Sequence, residues 1–393
     1  MGSSIQSVAV KGALPWDTRE ALRQELFADE NAFMRALPKV ELHVHLEGTL
    51  TPELRWKLAQ RNGMTLGLER TGVTYTSLEQ LKASYAGAQI RPGHEFDNEE
   101  EKFTFFEAYY GGFEVLKTKQ DFYDLAMNYF NRVAAINVRY CEVFFDPQGH
   151  TNRGVSWDAM MGGLRDAQAV AGRDLNLYCQ WIMCFMRDLS PESAMEHYEA
   201  SLPYHDIIIG IGLDSDEHLR PPALFADLYK RARQDGLFLT CHCDVATDNT
   251  HEHIRQVVLD IGGNGVDRID HGLNATEKPE LMELIQDRGI GMTVCPWSYL
   301  RHQPVDEVIP RIRALHDAGI KIAVASDDPA YMEDVWVAHN LLLVKKMCEF
   351  DDRDMVTLAR NAIDMSWGKE EVKTRLLDEL QMVVNEYLDA LQI

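Results

Sequence analysis

No C-x-x-C pair occurs among the seven cysteines, which lie scattered at positions 141, 179, 184, 241, 243, 295 and 348. An odd number without close spacing argues against a disulfide framework and against a Cys-ligated zinc knuckle. No apolar run approaches 18 residues, so nothing reads as a membrane-spanning helix. The first residues, MGSSIQSVAV, lack a charged stretch followed by an apolar one, and Gln6 stands where a myristoylation signal needs Ser or Thr. Basic clusters are missing as well: no Lys/Arg run exceeds a pair, and 39 basic residues against 62 acidic ones leave a net charge of −23. Such a field repels phosphate backbones and anionic lipid, which excludes nucleic acid and membrane as natural partners and otherwise favours solubility. G-x-S-x-G, Walker and G-x-G-x-x-G signatures are absent, removing the hydrolase-elbow, NTPase and dinucleotide readings. These absences describe a reduced, cytoplasmic chain whose partner is a small molecule.

What the chain does have is a repeated alternation. Its 393 residues, 46% hydrophobic and 26% charged, suffice for a large core. Eight short apolar runs recur between helical patterns: Val40–His45, Val138–Phe145, Leu177–Phe185, Ile207–Leu213, Phe238–Cys243, Arg268–His271, Gly289–Cys295 and Lys321–Ser326. Continuous burial of this kind suits parallel strands covered on both faces, and the alternation suits βαβ units. Eight of them predict a (β/α)8 barrel of the TIM type rather than a doubly wound sheet. Thr51-Pro52-Glu53 and Gly319 punctuate a helix start and a helix end. The stretch 51–135 is too long for one helix and predicts a helical insertion after the first strand, over the strand-end face. It carries an aromatic group (Phe103, Phe105, Phe106, Tyr109, Tyr110, Phe113) that reads first as core. Residues 1–38 read as an N-terminal helical extension, 39–335 as the barrel, and 336–393 as packed C-terminal helices, with an amphipathic stretch over Lys369–Leu391.

The chemistry follows from position. His43 and His45, two apart on the first strand, point the same way and can share a metal. His242 ends the fifth strand, His271 the sixth, and Asp327-Asp328 follow the eighth. In a barrel these distant places converge on the rim where such folds catalyse. A lone His is more often packing than ligand, and the other ten are assigned no role. The joint pattern is different: three imidazoles and a carboxylate, with a position left for water, form a catalytic rather than structural coordination set.

KVELHVHLEGTL (39–50), DRIDHG (267–272), TVCPWSYL (293–300) and SDDPAYM (326–332) resemble the adenosine/adenine deaminase branch of the metal-dependent amidohydrolases. The resemblance runs from about residue 38 to about 366. It implies one Zn²⁺ per chain, held by His43, His45, His242 and Asp327, with His271 orienting or deprotonating the attacking water. Asp327 would also take part in that proton transfer, and Asp328 would hydrogen-bond a purine ring nitrogen. Glu47 stands where adenosine deaminases carry an Asp for the ribose, and EVFFDPQGHTNRGV (142–155) and GIGLDSDE (210–217) also look like the adenine-deaminase subgroup. Glu47 would therefore fill room that a sugar needs, with the backbone near Ser215 against the base. Glu47 also reads simply as an anion at a helix N-terminus. The expected reaction is adenine plus water to hypoxanthine plus ammonia.

One departure stands out. Family members place His-Ala-Gly-Glu after the fifth strand, and the Glu protonates a ring nitrogen. Here the segment is His242-Cys243-Asp244-Val245. Val245 carries no proton, and general-acid help is a factor of about 10² to 10⁴. Three readings remain open: Asp244 donates instead; the substrate is adenosine, another amino-substituted heterocycle or an amide; or the chain binds metal and ligand with little turnover. Asp244 has a structural reading too, as a loop cap.

Overall fold

The computed structural model describes residues 13–68, 72–88, 105–245 and 247–388. Eight parallel strands run in sequence order around a ring: β1 (Lys39–His45), β2 (Val138–Phe145), β3 (Tyr178–Met186), β4 (Ile208–Asp214), β5 (Phe238–Cys243), β6 (Arg268–His271), β7 (Gly291–Val294) and β8 (Ile322–Val324). Nearly every strand residue is buried, as strands covered on both faces require. The register is direct, with Tyr140 opposite Tyr178, His242 opposite Asp270 and Asp270 opposite Thr293. The ring closes where Val44 bridges Asp327. There the His45 N–H donates to Asp327 O at 3.0 Å, and the Asp327 N–H donates to His43 O at 3.2 Å.

The expected (β/α)8 barrel is the observed one, and six of the eight runs agree with their strands to a residue at each end. Strands β7 and β8 are shorter than expected. Gly289, at φ 63°, is taken by the C-terminus of helix Pro279–Arg288, and the Ser326 N–H turns to the Glu41 carboxylate instead of the ladder. Inside the ring, Phe144, Ile182 and Cys184 form a small cluster of their own, against which Trp367 packs. Gly210 makes room there, since a Cβ would lie 2.6 Å from the Trp367 ring. Arg268 lies over the same ring at 4.1 Å and donates to Glu142 at 2.6 Å, a buried pair with both charges matched.

Local signals place the helices. Thr51 accepts the Leu54 N–H, and Pro52 opens helix Pro52–Arg61. Gly319, at φ 74°, follows helix Val305–Asp317. The insertion after β1 holds that first helix, a two-stranded ribbon of Leu66–Leu68 with Val73–Tyr75, and helices Leu78–Ala88, Phe105–Phe113 and Lys119–Ala135. The ribbon was not expected. Its strands are three residues each, too short to carry a readable period. Helix Phe105–Phe113 carries the aromatic group, except Phe103, which lies outside the described residues. Tyr109 and Phe113 are buried. Helices Trp16–Ala28 and Ala32–Ala36 precede the barrel, and Val337–Met347, Asp352–Met365 and Glu370–Tyr387 follow it. Among the described residues, no helix is long and apolar enough to cross a membrane.

Candidate active site

Strand ends bring the ring nitrogens together. His43 Nε2 lies 3.4 Å from Asp327 Oδ1, His45 Nε2 lies 3.6 Å from the same oxygen, and His45 Nε2 lies 3.2 Å from His242 Nε2. Ligand atoms at about 2.1 Å from a tetrahedral zinc are about 3.4 Å apart, so the set matches the spacing a divalent ion imposes. His43 Nε2 is buried without any hydrogen-bond partner, an orphaned polar atom that such an ion would satisfy. Three imidazoles and a carboxylate therefore fit a zinc-type centre with an open position.

The outer nitrogens are backed by acids. His43 Nδ1 bonds Thr293 Oγ1 at 2.8 Å, and the Thr293 hydroxyl donates to Asp270 Oδ1 at 2.8 Å. Asp270 also stands 3.6 Å from His43 Nδ1 and 3.7 Å from His242 Nδ1, and the Thr240 hydroxyl donates to it at 2.6 Å. Asp214 lies 3.4 Å from His45 Nδ1. A proton held on Nδ1 leaves Nε2 to coordinate. Burial opposes ionisation of Asp270, yet its contact with His43 and the charges of His43, His242 and Arg268 hold it far below the usual carboxylate range. Burial, followed by the charges of His43 and His271, pushes His242 well below its ordinary value. Its neutral form is the one a ligand needs.

His271 joins the same cluster, within 4.8 Å of ligating atoms of His43, Cys295 and Asp327. Its Nδ1 meets the Tyr299 hydroxyl at 2.9 Å. Burial first, then the charge of His43, lowers its pKa and keeps it a neutral base. Both His271 (φ 62°) and Asp327 (φ 65°) adopt left-handed backbone, rare for residues with a Cβ. Such strained backbone is the kind that functional sites tolerate. Asp328 is buried, and its Oδ1 has no partner. Gly48 lies against it: a Cβ there would fall 2.7 Å from the Asp328 Cα.

Of the remaining expected residues, Glu47 is buried, accepts from the Asp146 N–H at 3.3 Å and meets His150 Nε2 at 2.7 Å. Its position at the head of the turn Glu47–Thr49 also agrees with the helix-end reading. Ser215, at φ 72°, bonds the Tyr110 hydroxyl at 2.6 Å, tying the inserted helix to the rim. Asp244 is half-buried, with its Oδ1 accepting the Val245 N–H at 2.6 Å and its own N–H held by Glu217 Oε1 at 2.8 Å. Its charge reaches His271, Tyr299 and His302. The Trp297 indole N–H donates to Glu333 Oε2 at 2.6 Å.

The profile of the adenosine deaminase family matches residues 38–383. The chain belongs to that family. Among its relatives, an uncharacterized deaminase of Schizosaccharomyces pombe is 43% identical, over 91% of this chain and 99% of its own length. An adenine deaminase of Rhodospirillum rubrum is 40% identical, over 89% and 98%. The crystal structure of an adenine deaminase from Arthrobacter aurescens, 35% identical, covers 89% of this chain and 99% of its own, with a TM-score of 0.77. As a member of the family, the chain is a hydrolase acting on a C–N bond.

Several residues of the site were not foreseen. Asp146 follows β2 and Asp214 ends β4, so the strand-end rule that picked out the histidines applied to both. Asp270 precedes His271 directly, and opposite-facing neighbours on a strand hide such a partner. His150, Glu217 and His302 are placed only by the folded rim, and no spacing announced them.

Proposed function

We propose that the chain hydrolyses the exocyclic amine of a small purine-like base, adenine in the first place, releasing ammonia. The observation that carries this reading is the cage of His43, His45, His242 and Asp327 beside the neutral base His271. His43, His45, His242 and Asp327 would hold one Zn²⁺; such an ion lowers the pKa of a bound water to about 7 and so supplies a nucleophile at neutral pH.

His271, fixed by Tyr299, takes the proton given up as oxygen adds to the ring carbon bearing the amine, with Asp327 beside it as a second acceptor. The same proton serves the departing amine, so water's two hydrogens end on the ring and on ammonia. Asp328 meets a ring nitrogen. Burial pushes its carboxyl well above the ordinary range, which lets it donate as well as accept. Glu47 occupies the space of a sugar, and the turn at Ser215 closes on the base. Asp244 stands in for the missing Glu and passes a proton to the ring, regaining it from the added oxygen as the amine leaves, since Val245 cannot. The named activities of the Rhodospirillum and Arthrobacter relatives support an adenine-type substrate.

Val245 favours a second reading within the same chemistry, an amino-substituted heterocycle whose ring needs no protonation. An ammonia-release screen decides between them, run over adenine, its N6-substituted and hydroxylated relatives, adenosine and other aminoheterocycles. Adenine among the fastest substrates supports the first reading. Turnover confined to adenosine, or to rings other than purines, overturns it.

A further inference from the structure

Helix Trp16–Ala28 precedes the barrel in sequence yet reaches its strand-end rim. Its Arg19 is 3% exposed and donates to Glu333 Oε1 twice, through Nη2 at 2.8 Å and Nε at 3.2 Å, while Nη1 donates to Leu14 O at 2.8 Å. Glu333, 4% exposed, lies on the loop after β8 that opens with Asp327 and Asp328. Its Oε2 takes the Trp297 indole N–H and lies 3.7 Å from Arg301 Nε, both on the segment after β7. That segment also carries Tyr299, whose hydroxyl meets His271 Nδ1. A single carboxylate thus ties the N-terminal helix to the loop after β7 and to the loop after β8. Backbone contacts repeat the link. The Leu14 N–H donates to Leu300 O at 3.4 Å, Ala13 bridges Pro304, and the Arg23 guanidinium donates to Glu333 O.

Glu333 and Asp334 both adopt left-handed backbone, at φ 53° and 61°. Residues with a Cβ stay there only where their surroundings over-determine them. Here the grips are Arg19 on Glu333, and Arg132 with the Trp336 indole on Asp334. We propose that Arg19 and Glu333 are a positioning pair for the reaction, through which the N-terminal helix locks the loop of Tyr299 against the loop of Asp327 and Asp328. Both act through other residues: the pair fixes the two segments that hold His271 and Asp327, the groups that move the proton. The inference rests on the deaminase reading and adds to it a residue that precedes the family-matched segment 38–383. A pair that merely anchored the helix would cost stability throughout and spare the rate per folded molecule. Removing one partner alone leaves the other charge buried, which is strongly destabilising, so the two are best removed together.

The test uses the full-length, metal-loaded enzyme and whichever compound of the ammonia-release screen turns over fastest. Arg19→Met combined with Glu333→Gly removes both charges at once and suits the left-handed backbone. Its kcat should fall about 10- to 100-fold at native metal content, the scale of a displacement of about 1 Å at reacting groups. Arg19→Lys, which keeps the charge and loses the fork, should fall between that variant and the native enzyme. Hydrogen exchange gives a readout that needs no turnover. Amides of 295–304 and 327–336 should exchange on the order of tenfold faster in the double variant, while those of β3 keep their protection. A native rate in the double variant overturns the proposal, and so does exchange that is unchanged at the rim or faster throughout the barrel. If no compound releases ammonia, the deaminase reading fails, and the exchange result alone decides whether the pair locks the two loops.

Discussion

His45 Nε2 faces His242 Nε2 at 3.2 Å, although 197 positions separate them in the chain. An ion held between them, with Asp327 as the third corner, would account for that approach. Chelator treatment should therefore remove metal and activity together, and zinc should restore both while raising the melting midpoint, since a ligand bound only by the native state stabilises it. His242→Ala should retain the fold by circular dichroism yet lose most bound metal in elemental analysis. A variant with full metal content would show that the cage lies elsewhere.

Asp270 touches no substrate in this account, so its role is to position. It stands behind both His43 and His242 and is itself gripped by Thr240 and Thr293. Asp270→Asn should weaken metal affinity by about 10- to 100-fold, read by competition with a chromogenic chelator. Its activity should return at high zinc, which a loss of catalytic groups would not allow.

Asp244→Asn isolates the atypical loop. If Asp244 supplies the proton, kcat with adenine should fall by about 10² to 10⁴ and metal content should stay. An unaltered rate would leave Asp244 with its observed local task, holding the Val245 N–H.

The fold was legible because burial on both faces writes each strand as an unbroken apolar run, and the clustered histidines and Asp327 were legible because they stand at or near strand ends. Asp146 and Asp214 satisfied the same criterion and were passed over, since a single Asp after a strand is common. Asp270 escaped for a different reason: it acts on His43 and His242 through contacts that exist only when neighbouring strands are in register. The ribbon at Leu66–Leu68 and Val73–Tyr75 is set by tertiary packing, beyond the reach of three-residue patterns.

Away from the rim, His339 stacks on Phe27 at 3.9 Å and accepts the Trp336 N–H. Burial, with Asp334 opposing and Arg132 assisting, lowers its pKa to about 4. Unfolding frees it to bind a proton near pH 6.5, so the unfolded state holds more protons between about 6.5 and about 4. Stability from this group is complete above that window and is lost as pH falls through it. Thermal melts from pH 7 to 5 should decline less steeply for His339→Gln than for the native chain. Parallel slopes would show that His339 titrates normally.

The seam between β1 and β8 joins through Asp327 and the peptides of His43 and His45, so the last bond of the ring runs through three of the residues proposed to hold the ion. A nascent chain emerging from the ribosome thus carries its first two imidazoles for nearly three hundred residues before the carboxylate that completes them is made. Metal capture by these residues would then report that the circle has shut.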